Sequence, residues 1–180
     1  MQTEGLVTSI APDRRRIATL DQQAEEGINE ACFSIAFIFR STDAPMPSSP
    51  AHGFWLGVGL SAGAEAGEVI ALVEAVIARS GLDPALFQQI ASIETRRNHP
   101  ALLALSTRFQ VPVALFEAAV LEAETARLKN PSEALFVRIH CHGVAEAAAL
   151  AAGGPQAELI VEKTAGRHMT VAIAAAPDIR

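Results

Sequence analysis

Between Phe54 and Arg79 the sequence changes character twice. A short apolar run, Phe54-Trp55-Leu56-Gly57-Val58, gives way to Gly59, Ser61, Ala62 and Gly63, and then to an amphipathic run that ends at Arg79. This reads as a strand that stops at glycines and restarts as a helix, which restricts the chain to folds where helices pack on a sheet. A helix that begins above a strand end turns unbonded N–H groups toward that end, a natural seat for a carboxylate or phosphate. The glycines serve the same turn in a second way: without a Cβ the main chain turns tightly and approaches a ligand or a neighbouring strand.

The rest of the chain continues the alternation. Val69, Ile70, Leu72, Val73, Val76 and Ile77 recur at helical spacing, with Glu65, Glu68 and Glu74 on the other side, and Gly81 ends the helix. Asp83 before Pro84 predicts a short second helix over Ala85–Ile90, since an acidic N-cap followed by proline opens helices. Ala91–Glu94 is then a strand with Thr95–His99 as the loop at its end. A helix from Pro100 buries Leu102, Leu103, Leu105 and Phe109, and Val111–Phe116 is a strand with Pro112 at its start. Helices are expected over Glu117–Leu128, from the Ser132 cap to Ile139, and over the alanine-rich Val144–Ala152, whose small side chains suit close packing on a sheet. Glu158–Lys163 and Met169–Ala174 form a terminal hairpin around Ala165-Gly166. The sum is an α/β fold: a three-layer α/β/α sandwich with a mixed sheet of three parallel strands plus a C-terminal antiparallel hairpin.

Residues 1–53 lack this pattern. Arg14-Arg15-Arg16, the acidic stretch Asp21–Glu30 and the apolar run Cys32–Phe39 share no period, and Pro45, Pro47 and Pro50 among serines mark a linker. They are expected to form an extension, with residues 54–180 as the domain; Cys32–Phe39 is either an added edge strand or a partner-binding segment, and Met46 is an alternative start. The 14 basic against 20 acidic side chains, net −6, do not suit a nucleic-acid partner. Two distant cysteines, Cys32 and Cys141, fit a reducing compartment. No apolar run approaches membrane-spanning length, and Gln2-Thr3-Glu4 is no signal-peptide start, so a cytoplasmic location without membrane contact is expected.

Ligands in open α/β sheets bind outside the carboxyl ends of the parallel strands. That rule gathers Gly59–Gly63, Thr95–His99 and the segment after Phe116, and brings Arg96 and Arg97 to the glycine turn, where two guanidinium groups suit a substrate with several carboxylates. Of three other chemistries only the first has its full motif. Gly59-Leu60-Ser61-Ala62-Gly63 matches the G-x-S-x-G nucleophile elbow, with Asp83 and one of His99, His140, His142 or His168 as partners for a small serine hydrolase. His140-Cys141-His142 offers two imidazoles but no second cluster for a closed zinc site, so no metal is assigned. Gly57-Val-Gly59-Leu-Ser-Ala-Gly63 lacks the dinucleotide spacing, and no Gly-Lys-Ser/Thr is present, so neither NAD nor ATP is expected.

A set of segments carries a resemblance: Gly57–Gly63 with the following helix, Gly81-Leu-Asp-Pro before Ile90-Ala-Ser-Ile-Glu94, and the basic pair before His99-Pro100-Ala-Leu-Leu. Val111-Pro-Val-Ala-Leu-Phe116, Asn130-Pro-Ser132-Glu133-Ala and Gly143-Val-Ala-Glu146-Ala-Ala-Ala-Leu150 follow in order. Over about Phe54–Ala175 this set resembles the CobE/CbiG C-terminal domain family of cobalamin biosynthesis. The resemblance implies a three-layer α/β/α domain acting in corrin-ring construction, where CbiG-type proteins hydrolyse the lactone of a cobalt-precorrin intermediate and release acetaldehyde. The implied partners are a precorrin or corrinoid small molecule and other enzymes of that pathway, with no cofactor. On this reading Gly59, Leu60, Ser61, Ala62, Gly63, Thr95, Arg96, Arg97, Ser132, Glu133 and Glu146 bind the ligand, and Glu94 or His99 transfers a proton. Members of the family usually carry Gly-x-Gly-Cys followed by basic residues at the first turn, where this chain has Leu60, Ser61 and Ala62. They also usually carry an acidic residue where His99 stands. A non-catalytic interaction module working through Cys32–Phe39 is the remaining alternative.

Overall fold

The computed structural model describes residues 53–176 together with the two-residue strand Phe39–Arg40. The expectations for the extension, its linker and a start at Met46 otherwise lie outside the described residues. The sheet has six strands in the order β1-β4-β3-β2-β6-β5: β1 (Phe39–Arg40), β2 (Phe54–Leu60), β3 (Phe87–Ile93), β4 (Val113–Phe116), β5 (Glu158–Ala165) and β6 (Met169–Ala175). β2, β3 and β4 run parallel, β1 joins parallel to the free side of β4, and β6 lies antiparallel along the whole of β2, from Phe54 opposite Ala175 to Leu60 opposite Met169. The mixed sheet with a terminal hairpin is therefore as the sequence reads.

Alternation along β2 assigns its two faces. Leu56, Val58 and Leu60 meet α1 (Ala66–Ser80) and α2 (Pro100–Phe109) through Val69, Val73, Val76, Leu102 and Leu105, all buried. The other face holds Trp55, Gly57 and Gly59. Along with Ala91, Ile93, Ala114 and Phe116 it is covered by α5 (Ala145–Gly153), beside α3 (Ala118–Ala123). α5 is alanine-rich because it lies almost on the strand: a Cβ added to Gly57 would land on the Ala145 carbonyl oxygen and 2.8 Å from the Ala149 nitrogen. α4 (Glu133–Ile139) projects from this layer, capped by Ser132, whose hydroxyl accepts from the Leu135 N–H.

Three boundaries differ from expectation. The helix expected over Ala85–Ile90 is a single 3₁₀ turn, Pro84–Leu86, and β3 begins at Phe87 rather than Ala91. Asp83 does cap, accepting from the Ala85 N–H at 2.9 Å, but Phe87 pairs with Phe54 and packs edge-on against its ring at 5.6 Å, so sheet pairing ends the helix after one turn. The third parallel strand is Val113–Phe116, with Pro112 just outside it because proline has no N–H to give to the ladder. The helix read over Glu117–Leu128 stops at Ala123 and tightens into a 3₁₀ turn at Thr125–Arg127; there Arg127 binds the carbonyls of Gly154 and Ala157, which tie the turn to the far end of α5.

Candidate functional site

A cavity of about 510 Å³ opens at the carboxyl end of β2 and β3. Gly59, Leu60 and Ser61 form one side, and Ile93, Thr95 and Arg96 come from the end of β3. Because β6 runs antiparallel beside β2, the β5–β6 turn arrives at this same end and supplies Ala165 to Thr170. The turn is closed by Gly166 N–H to the Met169 carbonyl at 2.8 Å, and Ser61 N–H donates to the His168 carbonyl at 2.9 Å, extending the β2–β6 pairing past the strand end. The third side is α4 and the start of α5, from Asn130, Ser132, Leu135 and Arg138 to Gly143–Glu146. The helix N-terminus facing the cavity is thus that of α5. Ala66, Gly67 and Glu68, which open α1, do not line it, so the amides expected above the glycine turn belong to a different helix.

The wall is mainly apolar, with cations around it. Ile93, Leu135, Ile139, Val144 and Met169 form the apolar part; Arg96, Arg138, Lys163 and Arg167 stand around it, with His142 and His168, against one lining carboxylate, Glu146. Arg96 is fastened through Nε to the Leu60 carbonyl at 2.9 Å, and Lys163 Nζ donates to the Asn130 carbonyl at 2.9 Å. Among the described residues neither Arg138 nor Arg167 pairs with a carboxylate, although acidic side chains are in excess over the whole chain.

Glu146 is 2% exposed and its carboxylate is saturated by protein donors: the N–H groups of Lys129 (2.9 Å) and Asn130 (3.0 Å) on Oε2, and the Asn130 amide (2.9 Å) and Lys163 N–H (2.9 Å) on Oε1. Burial pushes its pKa up, but the Asn130 amide and the backbone N–H groups outweigh that and hold it below the ordinary carboxylate value. It therefore ties α5 to β5 and the loop before α4, and has no oxygen to offer as a general base.

The expected residues divide into groups. Gly59, Leu60, Ser61, Thr95, Arg96, Ser132 and Glu146 line the cavity. Ala62, Glu94, Arg97 and His99 line an adjoining, more open recess that shares Thr95 and Arg96 with it. There Arg97 is ion-paired with Glu94. His99 Nδ1 accepts from the Ala101 N–H at 3.3 Å and its Nε2 donates to the Ser61 carbonyl at 3.2 Å, which fixes the ring at the mouth of the glycine turn. Gly63 lines neither hollow, and Glu133, 88% exposed at its side chain, reaches His142 instead. Arg138, Lys163 and Arg167 were not among the expected site residues, and His142 was a candidate only for a triad or a metal pair. The signal that points to them is the basic Arg167-His168 in the hairpin turn, once β6 is paired with β2 rather than left unplaced.

Comparison with known proteins bears on what this cavity serves. Residues 54–174 match the family model described as cobalamin synthesis G C-terminus. The chain is 45% identical over 128 residues to Protein CobE of Sinorhizobium, a match covering 71% of this chain and 83% of that one. The chain belongs to the cobalamin synthesis G C-terminus family. Its fold matches the crystal structure of CobE, a protein from the cobalamin (vitamin B12) biosynthetic pathway, with a TM-score of 0.67 at 32% identity, over 75% of this chain and 98% of that chain. It also matches cobalamin biosynthesis protein chiG from Agrobacterium tumefaciens, with a TM-score of 0.53 at 25% identity, over 69% and 99% of the two chains. Cobalamin biosynthesis is thus the process in which this family member works, and no helix among the described residues is long and apolar enough to cross a membrane.

At the elbow-like Gly59–Gly63 turn, two of the partners named for a serine hydrolase, Asp83 and His99, do not meet the Ser61 hydroxyl. Gly59 and Leu60 belong to β2 and lie in register with Thr170 and Met169 of β6. Asp83 lies at the opposite end of the sheet capping Ala85, and His99 meets the Ser61 carbonyl rather than its hydroxyl. The His140–His142 pair is likewise unlike a metal site. Both His142 nitrogens face carboxylates, His140 sets its ring edge against Phe136, and Cys141 is fully buried with its thiol pushed up by burial.

Proposed function

We propose that the cavity at the ends of β2 and β3 binds a precorrin or corrinoid intermediate of cobalamin biosynthesis and hands it on, rather than turning it over. One observation carries this reading: in a chain of net charge −6, Arg96, Arg138, Lys163 and Arg167 converge on a mainly apolar cavity whose one lining carboxylate is fully occupied by the protein. A corrinoid intermediate is a flat, largely apolar ring edged with acetate and propionate groups, so it matches an apolar floor within a cationic rim. Handing on is favoured over lactone hydrolysis because the two candidates for proton transfer, Glu94 and His99, sit in the adjoining recess and are engaged by Arg97, Ser61 and Ala101. The test is a titration of the full chain with a corrin polycarboxylate obtained by hydrolysing the side-chain amides of cobalamin, followed in the visible spectrum. A saturable shift at tens of micromolar or below is expected for an anion-lined ligand held by several cations. Absence of any shift overturns the reading, and ring opening of a lactone-bearing precorrin by the purified chain replaces handing on with hydrolysis.

A further inference from the structure

α4 is a cavity wall that the core holds only through Leu135 and Ile139, both partly buried against it. No residue of Glu133–Ile139 is buried and Val137 is 77% exposed, yet Leu135, Arg138 and Ile139 line the cavity. Beyond those two side chains its fastening is concentrated on one residue, His142. The Ser132 N–H donates to the His142 carbonyl at 2.8 Å, and the Phe136 ring stacks on the His142 imidazole with centroids 4.6 Å apart and planes 19° from parallel. His142 Nδ1 lies 2.9 Å from Oε1 of Glu122 on α3, and Nε2 lies 3.3 Å from Oε1 of Glu133, the first residue of α4. The His142 N–H also donates to Glu122 at 3.0 Å.

Both ring nitrogens face carboxylate oxygens, and only an imidazolium has a proton for each. A neutral ring satisfies one contact and turns a lone pair on the other carboxylate. We infer that His142 is a positioning residue for ligand binding: as an imidazolium it latches α4 to α3, and so seats Arg138 and Leu135 against the cavity. The inference rests on the cavity being the ligand site.

The charged and titratable groups around the imidazole are Glu122 from α3, Glu133 from α4, the preceding Cys141 with its raised thiol, and His140 across the Phe136 ring. The Glu122 hydrogen bond raises the His142 pKa above 6.5, and the same bond lowers that of Glu122 below 4.5. The histidine's contribution is then complete below 6.5 and disappears as pH rises through its raised value; that of Glu122 is complete above 4.5 and disappears as pH falls through its lowered one. The latch is tightest between the two.

Hydrogen exchange on the ligand-free full chain tests the latch without any corrin. From about pH 6 to about pH 9, after correction for the intrinsic rate, protection of the amides at the end of α4 is expected to fall about tenfold or more while that of β2 stays level. Glu122→Gln moves the fall to lower pH, and His142→Phe, which keeps the ring stack, leaves α4 unprotected throughout. Equal behaviour of α4 and β2, or a midpoint unmoved by Glu122→Gln, overturns the latch and leaves the cavity reading standing. A pH-dependent α4 in a protein that binds no corrin polycarboxylate overturns the ligand-binding role with the cavity reading itself.

Discussion

Glu146 takes four hydrogen bonds on two oxygens while almost wholly out of water, so losing the carboxylate by mutation or its charge by acid has a measurable cost in stability. Glu146→Ala leaves three backbone N–H groups without an acceptor, and the expected loss is roughly 3 kcal/mol in a denaturant titration. The chain's single tryptophan, Trp55, is buried on the same face of the sheet and reports the unfolding. Because its pKa is lowered on folding, the carboxylate stabilises the wild-type protein fully above 4.5, and this contribution is lost as pH falls through the lowered value. Glu146→Gln is expected to remove that part of the acid sensitivity. The arginines separate by their partners. Arg138 has no carboxylate among the described residues and lines the cavity, so Arg138→Ala should weaken corrin polycarboxylate binding about tenfold to a hundredfold with little effect on stability. Arg97 is already paired with Glu94 in the recess, and Arg97→Ala should change affinity by less than about threefold in the same titration.

At the level of elements the close approach of α5 to β2 decides what the glycines do. Gly57→Ala drives a methyl into the Ala145 carbonyl, which must move with its helix; a loss of about 3 kcal/mol or more is expected from equilibrium unfolding. Gly67, on α1 with nothing within 4 Å of the added Cβ, gives the opposite sign: Gly67→Ala should stabilise by about 0.5–1 kcal/mol. The contrast explains how far the sequence could be read. The 3.6-residue period of Val69–Ile77 and the β-prone run at Phe54 are local properties, and they place α1 and β2 within a residue or two. The alanine run of α5 carries the close packing in its composition. What escaped is whatever a distant partner decides: Phe87 becomes a strand residue because Phe54 is beside it, and Arg167 joins the cavity because β6 pairs with β2. The helix N-terminus facing the cavity is likewise that of α5 and not of α1, because the start of α5 lies against Gly57 and Gly59 of β2.

Over the whole molecule two electrostatic scales oppose each other. The chain carries −6, which repels a ligand fringed with carboxylates at long range, whereas the cations of Arg96, Arg138, Lys163 and Arg167 attract it within the cavity. Salt screens both, but they predict opposite signs. If net charge dominates, added salt relieves repulsion and binding tightens; if the cavity dominates, binding weakens. The Debye length falls from about 10 Å at 0.1 M to about 3 Å at 1 M, shorter than the span of a macrocycle but comparable with a direct guanidinium–carboxylate contact. Contacts at the rim are partly open to solvent, so the cavity term is expected to win while losing strength. The affinity for a corrin polycarboxylate should fall about tenfold between roughly 0.05 and 0.5 M salt. The slope should shrink in Arg138→Ala, because one of the screened contacts is gone. An affinity that rises with salt would mean that the ligand meets the acidic exterior instead, and the cavity would then have no claim to it.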